Sequence, residues 1–228
     1  MISIDNIREL IEKENFQPDF GKPFQTGLLL DKNSRQIEYQ IFVGWDFLKA
    51  NQCDQQWGVF NTDLLQFIQD QNYSAEQLQE IDSYIQLSDA HWDWLKKSCI
   101  LKSDEYKWFY LYADGKPQAV CLIYHPKTSV ISGSNIFYIE YIAVAPWNRK
   151  NPMAQREFSG LGNLLIRFVT AYAASHLNLT PGFSLHSLPT AAGFYENIGM
   201  SHIRGKEKEG MNFYEMPYEN ACKYLEAS

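Results

Sequence analysis

The residue types that could do chemistry cluster in the second half of the chain. Glu140 is a lone carboxylate inside the apolar run NIFYIEYIAVA. A carboxylate in a strand covered on both faces is costly unless it is paired or opens onto a cleft. Glu140 is therefore either one half of a structural ion pair at a wet strand end, or a general base whose pKa partial burial raises towards neutrality. Gly160, Leu161 and Gly162 follow, at the start of GLGNLLIRFVTAYAASH. Unpaired N–H groups and a partial positive charge at a helix start suit a phosphate, and glycines let the backbone approach it; the plainer reading is a tight turn before a helix. Tyr195, in FYENIGM, is a phenol that can protonate a leaving group, or the apolar anchor of an amphipathic helix.

The elements that must position these residues follow from periodicity. A short amphipathic helix is expected over Ile4–Glu14, followed by a loop containing Pro and Gly. Residues 36–98 read as mainly helical, with Ser74 and Ser88 placed as N-caps. The pattern changes near residue 106: KWFYLY and PQAVCLIYH flank an Asp-Gly turn and read as a hairpin. A long strand then ends at Pro146, a helix carries Leu164, Leu165, Phe168, Val169 and Tyr172 on one stripe, and GFSLHS, TAAGFYENIGM and MNFYEMP read as strand, helix and strand. The expected fold class is α/β (α+β): a helical N-terminal region over 1–100, and a mixed sheet with one right-handed crossover over 101–228, together one compact domain.

Composition narrows the function. An apolar fraction of 45% in 228 residues supports a folded core. A formal net charge of −7 gives no electrostatic footprint for nucleic acid, so no nucleic-acid partner is expected. No segment approaches the roughly 20 apolar residues of a membrane span, and the first residues lack the apolar core of a signal peptide. The expectation is a cytoplasmic protein without membrane contact. Cys53, Cys99, Cys121 and Cys222 form no CxxC pair, so no metal site is expected, and Cys121 reads as a small buried residue.

EYIAVAPWNR, then GLGNLL, then FYENIGM some thirty residues on, together resemble the Gcn5-related N-acetyltransferase (GNAT) superfamily over roughly residues 106–216. The resemblance implies a GNAT-like, mostly antiparallel sheet flanked by helices, and acetyl-CoA as co-substrate. Backbone groups of Ile142, Ala143 and Val144 match those that pair with the pantetheine arm and polarise the thioester. Gly160, Leu161, Gly162 and Asn163 match the loop that holds the pyrophosphate. Tyr195 matches the residue that protonates the departing thiolate, and Glu140 a position that often supplies the base. The implied acceptor is a primary amine of a small molecule or peptide.

Two departures stand out. Where the family's glycine loop begins with Gln or Arg, three residues before its first glycine, this chain has Glu157, with Arg156 beside it. KNPMAQREFS is also longer than the usual linker, and reads either as a lid whose Arg149, Lys150 and Arg156 reach cofactor phosphates or as a solvated loop. Asp54, Asp63, Asp89 and Asp93, with Trp45, Trp57, Trp92 and Trp94, are candidates for shaping the acceptor site. MNFYEMP reads as an edge strand that either pairs with another subunit in a homodimer or is covered by the C-terminal helix YENACKYLEA. The alternative function is a catalytically inactive CoA-binding or interaction module.

Overall fold

The computed structural model describes residues 3–226. Its centre is an eight-stranded sheet of order β1-β2-β3-β4-β5-β6-β8-β7. The strands are β1 Gln25–Leu30, β2 Gln36–Val43, β3 Tyr106–Ala113, β4 Lys116–Thr128, β5 Asn135–Val144, β6 Phe183–Ser187, β7 Ser201–His202 and β8 Asn212–Glu215. β5 and β6 run parallel, whereas β1 with β2, β2 with β3, β6 with β8 and β7 with β8 are antiparallel. The helices are α1 Ile4–Lys13, α2 Phe47–Asp70, α3 Ala75–Tyr84, α4 Trp94–Ile100, α5 Leu161–His176, α6 Ala192–Asn197 and α7 Tyr218–Glu226.

Two compact units are distinguishable. The first comprises the chain up to Lys102, Phe109–Ala119 and Ala143–Leu161. Its core includes Phe109, Tyr110, Leu111, Ile41, Trp94 and Leu95, all essentially inaccessible. Burial of each such side chain contributes roughly 1.5–3 kcal/mol. The second comprises Ser103–Trp108, Val120–Ile142 and the chain from Gly162. There Leu165, Phe168 and Val169 of α5 are buried, as their spacing predicts, among residues that include Phe137 and Phe183, whose rings stack at 5.4 Å.

Several elements differ from the sequence expectation. Residues 25–43, read as loop and helix, form the β1–β2 hairpin. Its turn closes through Ser34, at φ 61°, with the Ser34 amide donating to Asp31 O (2.9 Å) and the Asp31 amide to Arg35 O (3.0 Å). Ser74 caps α3 as expected, through the Gln77 amide. Ser88 caps nothing; α4 starts at Trp94, capped by Asp93, whose carboxylate accepts from Lys96 N at 2.7 Å. MNFYEMP is not an edge, because β8 lies between β6 and β7, and the long open edge belongs to β1.

A buried carboxylate organises the β4–β5 connection in the second unit. Glu215, 1% exposed, accepts from the Ser129 hydroxyl (2.5 Å) and from the amides of Val130 (2.9 Å) and Ile131 (3.0 Å). Three donors compensate the lost hydration of its charge.

Candidate active site

In the second unit, β5 and β6 pair through Phe137–Ile139 against Phe183–Leu185, and among the described residues this ladder goes no further. On its other edge β6 pairs with β8 over Ser184–Ser187, so His186 and Ser187 have β8 as their partner strand without β5 opposite them. Strand residues from Glu140 onward thus lie beyond the parallel ladder. The strand is not covered on both faces as its composition suggested: Tyr138, Glu140, Ile142 and Val144 alternate along one face and are all half-buried. That face keeps partial access to solvent, which lowers the cost of a carboxylate in an apolar strand.

Three phenols feel the charge of Glu140. Burial raises Tyr106, Tyr138 and Tyr141, and the negative charge of Glu140 is the next contribution in each case. Tyr138 is pushed up to about 12. Its hydroxyl lies 2.7 Å from His186 Nδ1, and His186 Nε2 is 2.8 Å from Lys206 O. A carbonyl only accepts, so Nε2 carries a proton, and in the singly protonated imidazole Nδ1 accepts from Tyr138. Tyr138, two residues before Glu140 on the same face, was not singled out in the sequence; period-two alternation was the available signal.

Tyr195 lies on α6, a short helix entered from a turn at Pro189–Ala191. It is 7% exposed, and burial raises its phenol well above the usual value, with Cys121 and Tyr224 adding to the shift. It therefore keeps its proton across the physiological range. Asn163, on the first turn of α5, is half-buried and held by Tyr224 of α7, whose hydroxyl lies 2.6 Å from Asn163 Oδ1 and 3.1 Å from Asn163 O. One O–H proton serves one acceptor fully, and the shorter contact favours Oδ1.

The first unit fixes the turn after β5. Gln118, wholly buried, accepts through Oε1 from Trp147 Nε1 (2.8 Å) and Asn148 Nδ2 (2.7 Å) and donates through Nε2 to Ala113 O (2.9 Å). Asn148 Oδ1 then accepts from the Phe158 amide at 2.9 Å, so both ends of the inserted segment are anchored. Gly160 follows at φ 74°, a conformation glycine adopts without steric cost. Leu161, 2% exposed, begins the 16-residue α5. Gly162 is half-buried on its first turn.

The charged residues of the insertion part company. Arg149 donates to Val144 O (2.8 Å), Gln86 O (3.0 Å) and both oxygens of Asp89 (2.5 and 2.6 Å), so it is a structural clamp and not a free phosphate ligand. Lys150 Nζ sits 4.0 Å above the Tyr84 ring. Arg156 is exposed. Glu157 turns its carboxylate towards Lys116, 3.9 Å away, which removes the objection to a carboxylate beside the glycine turn.

Asp54, Asp89, Asp93, Trp57, Trp92 and Trp94 do converge, around a cavity of about 180 Å³ in the first unit. Each acid is already engaged there. Asp54 accepts from the Trp94 and Leu95 amides (2.7 and 2.9 Å) and faces Arg8 at 3.3 Å; Asp93 faces Arg8 at 2.8 Å; Asp89 holds Arg149. Asp63 does not line this cavity, and Trp45 donates to Ser98 O at 2.7 Å.

β5 parallel to β6, followed by a glycine turn and a long helix within a mostly antiparallel, helix-flanked sheet, is the arrangement the motifs implied. The fold is GNAT-like. The crystal structure of an uncharacterized protein (bh2621) from Bacillus halodurans is similar with a TM-score of 0.51 at 10% identity, over 90% of this chain and 96% of that one. A GCN5-related N-acetyltransferase from Ralstonia eutropha JMP134 matches at 0.42 and 15% identity, over 75% and 97% of the two chains. The ribosomal-protein-S18-alanine N-acetyltransferase from Escherichia coli matches at 0.40 and 19%, over 56% and 77%. No protein-family model and no curated protein matches the chain. Among the described residues, no helix is long and apolar enough to cross a membrane, and no group of three or more His, Cys, Asp or Glu side chains could hold a metal ion.

Proposed function

We propose that the protein transfers an acetyl group from acetyl-CoA to a primary amine of a small molecule or peptide by direct attack. The observation that carries this reading is the end of the β5–β6 ladder at Ile139 and Leu185, which leaves the rest of β5 to pair with an extended ligand. In this reading the backbone of Ile142, Ala143 and Val144 binds the pantetheine arm and polarises the thioester carbonyl. The amides of Gly160, Leu161, Gly162 and Asn163 bind the pyrophosphate, helped by the α5 dipole. With Asn163 Oδ1 taken by Tyr224, the amide nitrogen is left as the donor towards an anion.

An alkyl amine has a pKa of about 10.4 and must lose a proton before attack. Glu140 takes that proton, directly or through water, and its charge also draws in the cation. The amine nitrogen bonds to the carbonyl carbon, negative charge builds on oxygen next to backbone donors, and the C–S bond breaks as the nitrogen gives its second proton to solvent. Tyr195 donates to the departing thiolate and is reprotonated from solvent. Burial keeps the phenol protonated before the step, and the same burial disfavours the tyrosinate that donation leaves, so the proton is returned as the C–S bond breaks.

Turnover with a panel of amines tests the reading. Tyr195→Phe should lower kcat by about 10–100-fold with acetyl-CoA affinity within a few-fold; unchanged kcat would remove Tyr195 from the reaction. Glu140→Gln should abolish the acidic limb of the pH profile of kcat/KM, and an intact limb would make Glu140 structural.

A further inference from the structure

β1 is one outer edge of the sheet, and β7, two residues long, is the other. A very short edge offers little backbone to a passing strand, whereas a longer one is a template for pairing unless charge, proline or a bulge blunts it. β1 reads QTGLLL, with neither charge nor proline in its six residues. Leu28 and Leu30 in it are 62% and 61% exposed.

The register says which backbone groups are free. Asp31 N donates to Arg35 O at 3.0 Å, immediately beyond the Leu30–Gln36 pair. In an antiparallel ladder the bonded pairs alternate, so Leu29, Gly27 and Gln25 also bond to β2, and the N–H and C=O of Thr26, Leu28 and Leu30 point away from it. Among the described residues, no other strand pairs with that edge. The free stretch is bounded by the Phe24 amide, which donates to Ile41 O (2.8 Å), and the Lys32 amide, which donates to Glu157 O (2.9 Å).

Period two also sends the side chains of Thr26, Leu28 and Leu30 to one face, and all three are exposed. The opposite face is closed by the Tyr39 ring over Gly27, where a Cβ would come within 2.5 Å of it. A slip of one residue would drive Thr26 or Leu28 into that ring, so the leucines stay on the open face.

A second copy of this chain is the occupant that the spacing selects. Free groups at 26, 28 and 30 form a set symmetric about Leu28. A two-fold axis perpendicular to the sheet at Leu28 sets Thr26 against Leu30 of the second copy, and Leu28 against its own counterpart. Facing Cα atoms then lie about 5.5 Å apart, and every outward N–H and C=O of both strands finds a partner. The same axis keeps the side chains on one face, so the exposed leucines and threonines of both copies meet side by side. An unrelated strand would need this alternation by chance; a second copy carries it necessarily. The seam is also free of charge, which matters to two chains that each carry −7 and repel at long range.

We propose that the protein forms a two-fold dimer by antiparallel pairing of β1 with β1 of a second copy, centred on Leu28, so that two eight-stranded sheets become one continuous sheet. The pairing edge is thus β1 and not MNFYEMP, which lies inside the sheet.

Sedimentation velocity of the full-length protein tests it. Six residues a side are fewer than the roughly 20–30 of a standard interface, so half-dissociation is expected on the order of 10 μM. Leu28→Lys sets like charges opposite each other at the centre of the seam and should weaken the dimer by at least about 10-fold, with the circular dichroism of the wild type retained. Oxidation of Leu28→Cys should give a disulfide-linked dimer above the wild-type background, because Cα atoms about 5.5 Å apart are within disulfide range. Thr26→Cys should not, because residues 26 of the two copies would lie about 14 Å apart. A wild type that stays monomeric up to about 100 μM overturns the proposal. So does a dimer that Leu28→Lys leaves intact, or crosslinking through Thr26→Cys and not through Leu28→Cys.

Discussion

Two of the charge-lined cavities of the first unit use charge in opposite ways. In the 180 Å³ cavity, Asp54, Asp89 and Asp93 face Arg8 and Arg149, and each of these charges has a partner. In a cleft of about 400 Å³ between the tip of the β1–β2 hairpin and residues 150–159, Asp31 and Glu157 are engaged elsewhere while Lys32 and Arg156 face solvent. By composition the first looked like a pocket for a cation and the insertion looked equally able to be lid or loop. Pairing reverses the expectation: an acid already bound to an arginine and to amides has little left for an amine, and an unpaired lysine has everything left for an anion. The lesson concerns which charges are satisfied internally, not how many there are.

The strongest way to break this contrast is to unpair the first cavity. Arg149 and Asp89 have side chains only 13% and 11% exposed. Asp89→Ala should leave a guanidinium poorly solvated and unpaired, a loss of about 3–5 kcal/mol. At about 2–4 °C per kcal/mol for a chain of this size, Tm should fall by roughly 10 °C. A fall of only a degree or two by calorimetry would mean that this pair is no more structural than a surface salt bridge.

A second, smaller effect is read through pH. Burial pushes Asp54 up to about 6, partly offset by the Leu95 and Trp94 amides, while the charge of Asp93 adds to the rise. The folded value lies above the unfolded value near 3.9, so the folded state takes up the proton first as pH falls. This group therefore adds stability as pH drops from about 6 towards 4 and withdraws it on the way back. Denaturant titrations at pH 7 and pH 5 should show wild type gaining about 1 kcal/mol more than Asp54→Asn over that interval. Parallel behaviour would mean that Arg8 and the two amides keep Asp54 ionised throughout.

These contrasts also show what could be read in advance. The run from Glu140 to Asn163 was legible because a long apolar strand, a proline stop and a glycine turn before a periodic helix are all local signals. The β1–β2 hairpin was not. Its turn takes the left-handed position with Ser34 and no glycine, and QTGLLL leaves Leu28 and Leu30 more than 60% exposed, so neither turn chemistry nor alternation marked it. Ile37, Tyr39 and Ile41 did alternate in β2, and that signal was available. The start of α4 was only half legible: Asp93 is a local cap that accepts from Lys96 N, but the amides of Trp94 and Leu95 are met by Asp54, forty residues earlier on α2. A cap supplied from another helix leaves no trace in the local sequence. Lys32 escaped notice in the same way, since only the folded hairpin brings it beside Arg156.

The sharpest form of the comparison sets two arginines of one segment against each other. Arg149 and Arg156 are seven positions apart in the sequence, and the insertion reading treated them alike. Arg149 holds Asp89, Val144 O and Gln86 O, whereas Arg156 has no such partner among the described residues. Arg156→Ala should thus change stability by less than about 0.5 kcal/mol, the ordinary range for a surface site. Chemical denaturation of that variant checks it. A loss of 1 kcal/mol or more would show that Arg156 is tied into the fold as Arg149 is, and the distinction between the paired cavity and the open cleft would fail at the residue on which it depends most.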